Sequence, residues 1–181
     1  MTITASTSLR DVAFIVCTAL ERSGVTAVLT GGSAATVYAP DAYQSADLDF
    51  VVEFRAEDAD PVKALTGLGY HLKGDHYVHA ENPLPLEFPK GPLAVGGDLI
   101  REWETFRDGD LLLHIIEPTD CCRDRLAGFL FWNDRGSLDQ AVAVARAQEH
   151  SVEIETVRRW CESKGHVEKF AEFARALSAA G

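Results

Sequence analysis

Two aspartates separated by one residue have the clearest potential for chemistry in this sequence. Asp47 and Asp49 open residues 47–54, a stretch rich in valine and phenylalanine that predicts a β-strand. Side chains two positions apart in a strand project to the same face, about 6–7 Å apart, so the carboxylates repel each other unless a cation lies between them. These oxygen ligands predict a site for Mg²⁺, with Mn²⁺ as the alternative.

A third carboxylate is expected beside this pair. Glu87 lies in the middle of a short predicted strand, residues 84–88, where an apolar residue is the default. A neighbouring strand would place it next to the aspartates, and the competing interpretation is an exposed glutamate on an edge strand. Pro85 favours an edge position or a bulge for this strand. Three carboxylates that hold two metal ions would support in-line phosphoryl transfer.

A glycine pair precedes the aspartates. Gly31–Gly32 follow a buried strand predicted for residues 25–29, and Ser33 is the expected N-cap of a short helix that runs to Tyr38. Backbone N–H groups and a hydroxyl at the positive end of a helix dipole form a phosphate-binding surface. An isolated glycine pair usually marks a turn and an isolated pair of aspartates a solvated edge, but their combination predicts one site.

Two other phosphate-handling motifs do not fit this pattern. A P-loop requires Gly-Lys-Ser/Thr at the helix start, whereas Gly32 is followed by Ser33 and Ala34. In phosphatases of the haloacid-dehalogenase type an apolar strand precedes the aspartates, whereas here the apolar strand follows them.

Both helices and strands are predicted up to about residue 118, and only helices are predicted after it. The earlier part adds helices at 9–23 and 57–68, a hairpin of strands 70–73 and 76–79, a loop at 90–101 and a strand at 111–116. The later part predicts helices at 120–132, 137–148, 153–163 and 166–178. The predicted fold is α+β, with an α/β core of residues 1–117 followed by a helical region, residues 118–181, packed on that core.

Composition narrows the classes of protein and partner. The chain has 181 residues, 46% of them hydrophobic and 25% charged, which predicts one globular domain or a domain with a small appendage. The formal charge of −11 argues against an extensive nucleic-acid-binding surface. Without an apolar signal segment, an apolar run of membrane-spanning length or a C-x-x-C pair, we expect a cytoplasmic protein that has no membrane contact and no structural zinc.

The segments "GGSA", "SADLDFV" and "LEF" together resemble the nucleotidyltransferase superfamily with a polymerase-beta-like core. Their compact spacing is similar to that of small bacterial AbiEii-type and minimal nucleotidyltransferases. The resemblance implies a mixed β-sheet flanked by helices and a C-terminal helical bundle. It also implies transfer of an NMP group from a nucleoside triphosphate to a hydroxyl of a protein, tRNA or small-molecule acceptor.

The resemblance assigns roles to the residues of the predicted site. Gly31–Gly32 and Ser33 would contact the nucleotide phosphates, and Asp47 and Asp49 would hold Mg²⁺. Glu87 would complete the metal site and accept the proton of the acceptor hydroxyl. A further hypothesis from the resemblance is that the chain acts as the toxin of a toxin–antitoxin pair, with an antitoxin protein as its partner. The alternative is a catalytically inactive module of the same fold that binds a nucleotide or a partner.

The segment "DCCRDRLAGFLFWNDRGSLDQAVAVA" resembles the helical half of such proteins. Arg123 occupies the place of a lysine that binds the triphosphate, and Asp134 matches an aspartate at the start of the next helix; both are assigned to nucleotide binding. The chain departs from the pattern by carrying arginine in place of lysine and Ser137 in place of a second aspartate. The competing interpretations are a surface charge for Arg123 and an N-cap for Asp134.

Overall fold

The structure, a computed structural model, describes residues 2–179; Met1 and the end of the predicted helical region, residues 180–181, lie outside the described residues. The helices are α1 (Leu9–Arg22), α2 (Gly31–Tyr38), α3 (Pro61–Gly67), α4 (Pro118–Trp132), α5 (Arg135–Ala147), α6 (Ile154–Ser163) and α7 (Val167–Ser178). The strands are β1 (Val25–Thr30), β2 (Leu48–Arg55), β3 (Tyr70–Lys73), β4 (His76–His79), β5 (Leu86–Glu87), β6 (Ala94–Val95), β7 (Asp98–Leu99), β8 (Glu104–Asp108) and β9 (Leu111–Ile115).

Seven strands form one mixed sheet in the order β3-β4-β5-β2-β1-β9-β8, and β6 and β7 form a separate hairpin. Strand β1 runs antiparallel to β2 and parallel to β9. Strand β2 runs parallel to β5 on its other side. The predicted metal-binding strand, β2, therefore lies inside the sheet with a hydrogen-bonded neighbour on each side.

Helices cover the sheet and continue as a bundle after β9. Helix α1 packs on β1 and β9, and its first turn is capped by the Ser8 hydroxyl, which accepts the Asp11 N–H. Helix α4 packs against α2 and α5, and α7 closes the bundle against α5 and α6. The fold is α+β as predicted, with a C-terminal helical bundle. Within the described residues no helix is both long enough and apolar enough to span a bilayer.

Three local predictions were wrong. Helix α2 begins at Gly31, and the residue at its N-cap is Thr30, so Ser33 lies inside the first turn and does not cap it. Strand β5 lies between β4 and β2 in the sheet, not at an edge. Pro85 is compatible with this interior position because it precedes the strand, and its carbonyl accepts the Leu48 N–H. The predicted loop at 90–101 contains the β6–β7 hairpin.

Candidate functional site

The three predicted carboxylates lie at one end of two parallel strands. Asp49 on β2 is paired in register with Glu87 on β5 and, on the opposite side, with Thr30 at the end of β1. Asp47 immediately precedes β2. Asp47 and Asp49 are partly buried, whereas Glu87 is exposed. The strand order that was needed to bring Glu87 beside the aspartates is present in the structure.

Both burial and neighbouring acids oppose the ionisation of Asp49. Burial, followed by the negative charges of Asp47 and Glu87, raises the pKa of Asp49 from 3.8 to about 6. Asp124 on α4 adds a smaller effect in the same direction, and Arg125 opposes it. A carboxylate whose pKa is raised in this way is stabilised when it takes up a proton or when a cation binds next to it.

The glycine pair makes room for neighbouring groups of the protein itself. Gly31 has φ +66, and a Cβ at this position would collide with Oδ2 of Asp49. A Cβ on Gly32 would lie 3.0 Å from Oγ of Ser45 and 3.4 Å from Oη of Tyr43. Both glycines are buried. Their contact with nucleotide phosphates stays a prediction, and the close approach of the Asp49 carboxylate accounts for glycine at position 31.

Ser33 holds the backbone of Asp49. Its side chain is fully buried; Oγ donates a hydrogen bond to the Thr30 carbonyl at 2.8 Å and accepts the Asp49 N–H at 3.2 Å. Oγ1 of Thr30 donates to the Asp49 carbonyl at 3.5 Å. The start of α2 therefore fixes the place of Asp49, and the structure connects Ser33 to the site through this backbone contact.

Arg123 forms ion pairs with two carboxylates of the protein. Its guanidinium lies 2.6 Å from Asp120 and 3.2 Å from Asp98, and it stacks over the Trp160 ring at 5.1 Å. Asp98 also accepts a 2.8 Å bond from Lys164. This network connects α4 with β7 and α6, which is the structural use of an arginine that the sequence assigned to the triphosphate.

Arg125 is the arginine of α4 whose charge acts on Asp49. It donates two hydrogen bonds to Asp124, at 2.6 and 3.0 Å, and one to Gln140 at 3.3 Å. Burial alone would lower its pKa, but the Asp124 carboxylate raises it, so Arg125 stays cationic. The sequence-based assignment weighed both arginines as surface charges or substrate-binding groups and selected Arg123. Their offset of two residues places them on different faces of a helix, so the two cannot both face Asp49.

Asp134 is the N-cap of α5. Its carboxylate accepts the Gly136 N–H at 2.9 Å and the Ser137 hydroxyl at 2.6 Å, and the Ser137 bond is the largest cause of its lowered pKa. Arg125 also lowers this pKa through its charge. The structure therefore gives Asp134 a capping function close to Arg125, and its contact with a nucleotide stays a prediction.

The carboxylates suit Mg²⁺ by donor type. Mg²⁺ is commonly held by one or two carboxylates, with waters and substrate phosphates as its other ligands. Asp47 and Asp49 fit that description, and a cation would offset the burial and the neighbouring negative charges that raise the pKa of Asp49. Across residues 2–179 no group of three or more His, Cys, Asp or Glu side chains is arranged to hold a metal ion. The part of Glu87 as a third ligand stays a prediction.

Comparison with known proteins identifies the fold. No protein-family model matches the sequence, and no curated protein matches it. Among solved structures, the chain is similar to an antigenic nucleotidyltransferase-like protein from Paracoccidioides brasiliensis, with a TM-score of 0.62 and 14% sequence identity. The match covers 97% of this chain and 94% of that chain. The chain therefore has a nucleotidyltransferase-like α+β fold.

Proposed function

We propose that the chain is a metal-dependent nucleotidyltransferase, which transfers an NMP group from a nucleoside triphosphate to a hydroxyl of an acceptor. The observation that carries the proposal is the position of Asp49 between Asp47 and Glu87, next to the first residue of α2. A module that only binds a partner gains nothing from repelling acids at one strand end. The nucleotidyltransferase-like fold supports the same activity.

Each residue of the site has a part in this reaction. The acceptor oxygen forms a bond to the α-phosphorus while the bond from that phosphorus to the bridging oxygen breaks, and pyrophosphate leaves with the electron pair. Asp47 and Asp49 would hold Mg²⁺, which when bound neutralises phosphate charge and polarises the attacking hydroxyl. Glu87, the exposed carboxylate, accepts the hydroxyl proton, and Arg125 attracts the triphosphate.

Label transfer tests the activity and identifies the acceptor. The chain is incubated with MgCl₂, cell lysate and each of four α-³²P-labelled nucleoside triphosphates, and protein, RNA and small molecules are then separated. We expect label in one fraction, at least about 100-fold less of it with Asp49→Asn or Glu87→Gln, and unchanged label with the exposed control Asp139→Asn. Nucleotide binding without metal, unaffected by Asp47→Asn plus Asp49→Asn and without label transfer, would instead support the binding module.

The toxin function is a finer proposal that rests on the spacing of the glycine and aspartate motifs. Induced expression of the chain in bacteria should arrest growth, and the Asp47→Asn plus Asp49→Asn variant should not. Co-expression of an antitoxin encoded next to the chain should restore growth. Normal growth together with label transfer in vitro would contradict the toxin function and leave the transferase activity standing.

A further inference from the structure

Asp47 lacks the backbone support that fixes Asp49. Asp49 lies within β2 between two paired strands, whereas Asp47 precedes the strand, at the end of the segment that connects α2 to β2. A carboxylate on such a segment can rotate unless a neighbouring group holds it. A metal-binding pair requires both carboxylates in a fixed geometry.

Ser45 holds the Asp47 carboxylate. Its hydroxyl donates a 2.9 Å hydrogen bond to Oδ1 of Asp47, and the residue is 8% exposed. The bond engages one carboxylate oxygen and leaves Oδ2 for a cation. Ser45 is therefore placed to set the direction in which Asp47 presents its second oxygen.

Thr36 in turn holds Ser45. Thr36 lies on α2, three residues after Ser33, so the two hydroxyls share a helix face. Its Oγ1 donates to the Gly32 carbonyl at 3.1 Å and accepts the Ser45 N–H at 2.8 Å, and the residue is 4% exposed. A buried hydroxyl is costly unless it is hydrogen-bonded, and this one has a partner in both roles.

We propose that Thr36 and Ser45 are positioning residues that orient the metal-binding carboxylate of Asp47. Helix α2 then controls both aspartates, Asp49 through the Ser33 hydroxyl and Asp47 through Thr36 and Ser45. The inference rests on the proposed function, because it assigns the orientation of Asp47 to cation binding.

Paired substitutions distinguish the effect of losing a hydroxyl from the effect of changing the shape of the side chain. Thr36→Val and Ser45→Ala remove each hydroxyl, whereas Thr36→Ser and Ser45→Thr keep it. Thr66→Val on α3 is a matched control, because Oγ1 of Thr66 makes the same hydrogen bond to a carbonyl four residues earlier, at 2.9 Å, on an exposed surface. Thermal melting of each variant establishes whether it is folded. If Thr36→Val does not fold, the test is made with Ser45→Ala.

The first measurement is the Kd for Mn²⁺ alone, from electron paramagnetic resonance, and the second is the separation of kcat from KM in nucleotide transfer. We expect Thr36→Val and Ser45→Ala to weaken Mn²⁺ binding by about 10-fold, because outer residues that orient a ligand typically contribute 10- to 100-fold. We expect kcat to fall by a similar factor with little change in KM. The hydroxyl-retaining variants and Thr66→Val should match the wild type.

The outcomes distinguish this inference from the proposed function. Wild-type Mn²⁺ affinity in Ser45→Ala, or equal losses in Thr36→Ser and Thr36→Val, would overturn the positioning roles even if transfer occurs. Mn²⁺ binding that weakens as expected in a chain without transferase activity would support the positioning roles and contradict only the transfer reaction. A wild-type chain that binds no Mn²⁺ would overturn the inference.

Discussion

At the scale of single residues, Asp49 contributes a pH-dependent destabilisation of the native state. Its folded pKa of about 6 lies above the ordinary value of 3.8, so the native state binds more protons than the unfolded state between these values. The contribution of Asp49 to the free energy of unfolding therefore falls as pH rises through this interval. The loss is complete above about pH 6 and absent below about pH 4.

We expect Asp49→Asn to stabilise the chain at pH 7.5 by about 1–2 kcal/mol. The reason is that asparagine removes a charge that is disfavoured by burial and by the negative charges of Asp47 and Glu87. The value is lower than the pKa shift alone would give, because Asp49 is only partly buried and water screens the charge. Urea unfolding at pH 4 and pH 7.5 in EDTA measures the difference, which should disappear at pH 4. Asp139→Asn is the exposed control. Equal pH dependence of wild type and Asp49→Asn would contradict the prediction.

Gly31 offers a second test at this scale. We expect Gly31→Ala to cost about 3 kcal/mol, because alanine is strained at φ +66 and its Cβ would displace the Asp49 carboxylate. Gly74→Ala is a matched control, with φ +68 and no atom within 4 Å of an added Cβ, and should cost only about 1 kcal/mol. Chemical denaturation measures both values. If the double variant Gly31→Ala plus Asp49→Ala regains stability, the extra cost of Gly31→Ala over Gly74→Ala comes from the Asp49 carboxylate. Equal costs for the two glycine variants would contradict a clash between the added Cβ and Asp49.

At the scale of secondary structure, α4 carries two arginines with different partners, Asp120 and Asp98 for Arg123 and Asp124 for Arg125. Arg123→Met should destabilise the chain by about 2–3 kcal/mol, because it leaves the partly buried Asp120 without its partner and removes one of the two cations that bind Asp98. It should not change nucleotide affinity. Arg125→Met should weaken binding of a non-hydrolysable nucleoside triphosphate by about 10-fold, because it removes the cation near Asp49. Urea unfolding and calorimetric titration measure the two effects. Weaker nucleotide binding in Arg123→Met would contradict this prediction and support Arg123 as the residue that binds the triphosphate.

Elements with a strong local pattern could be predicted from the sequence. Helices α1, α5, α6 and α7 have clear apolar periodicity, and the hairpin at Gly74 has a turn signal. Helix α4 has little periodicity, and its signals are Pro118 at its start and Asn133 at its end. The partners of the site residues could not be predicted in this way. The contact of Gly31 with Asp49 depends on how α2 packs, and the choice between Arg123 and Arg125 depends on how α4 packs. Packing of this kind produces no motif of fixed spacing in the sequence. The β6–β7 strands were missed because they are two residues long.

At the scale of the whole molecule, the hydrophobic core crosses the predicted boundary at residue 117. Buried side chains of α1, β1 and β2 belong to the same cluster as those of α4, α5 and α6. The β6–β7 hairpin adds a connection, since Asp98 binds Arg123 and Lys164 and Gly96 packs against the Trp160 ring. A continuous core of this kind predicts that both regions unfold in one cooperative transition.

Four buried cysteines report on that transition, with Cys17 in α1 and the other three in α4 and α6. Burial raises the pKa of Cys17 to about 12 and that of Cys161 to about 11, so native thiols should react slowly at pH 8. Pulsed alkylation across a urea series, read by mass spectrometry, should give one midpoint for the Cys17 peptide and the Cys161 peptide. Circular dichroism should give the same midpoint. Labelling of Cys161 at lower urea would show that the helical region unfolds first, and the site would then lose Arg125 before it loses Asp49.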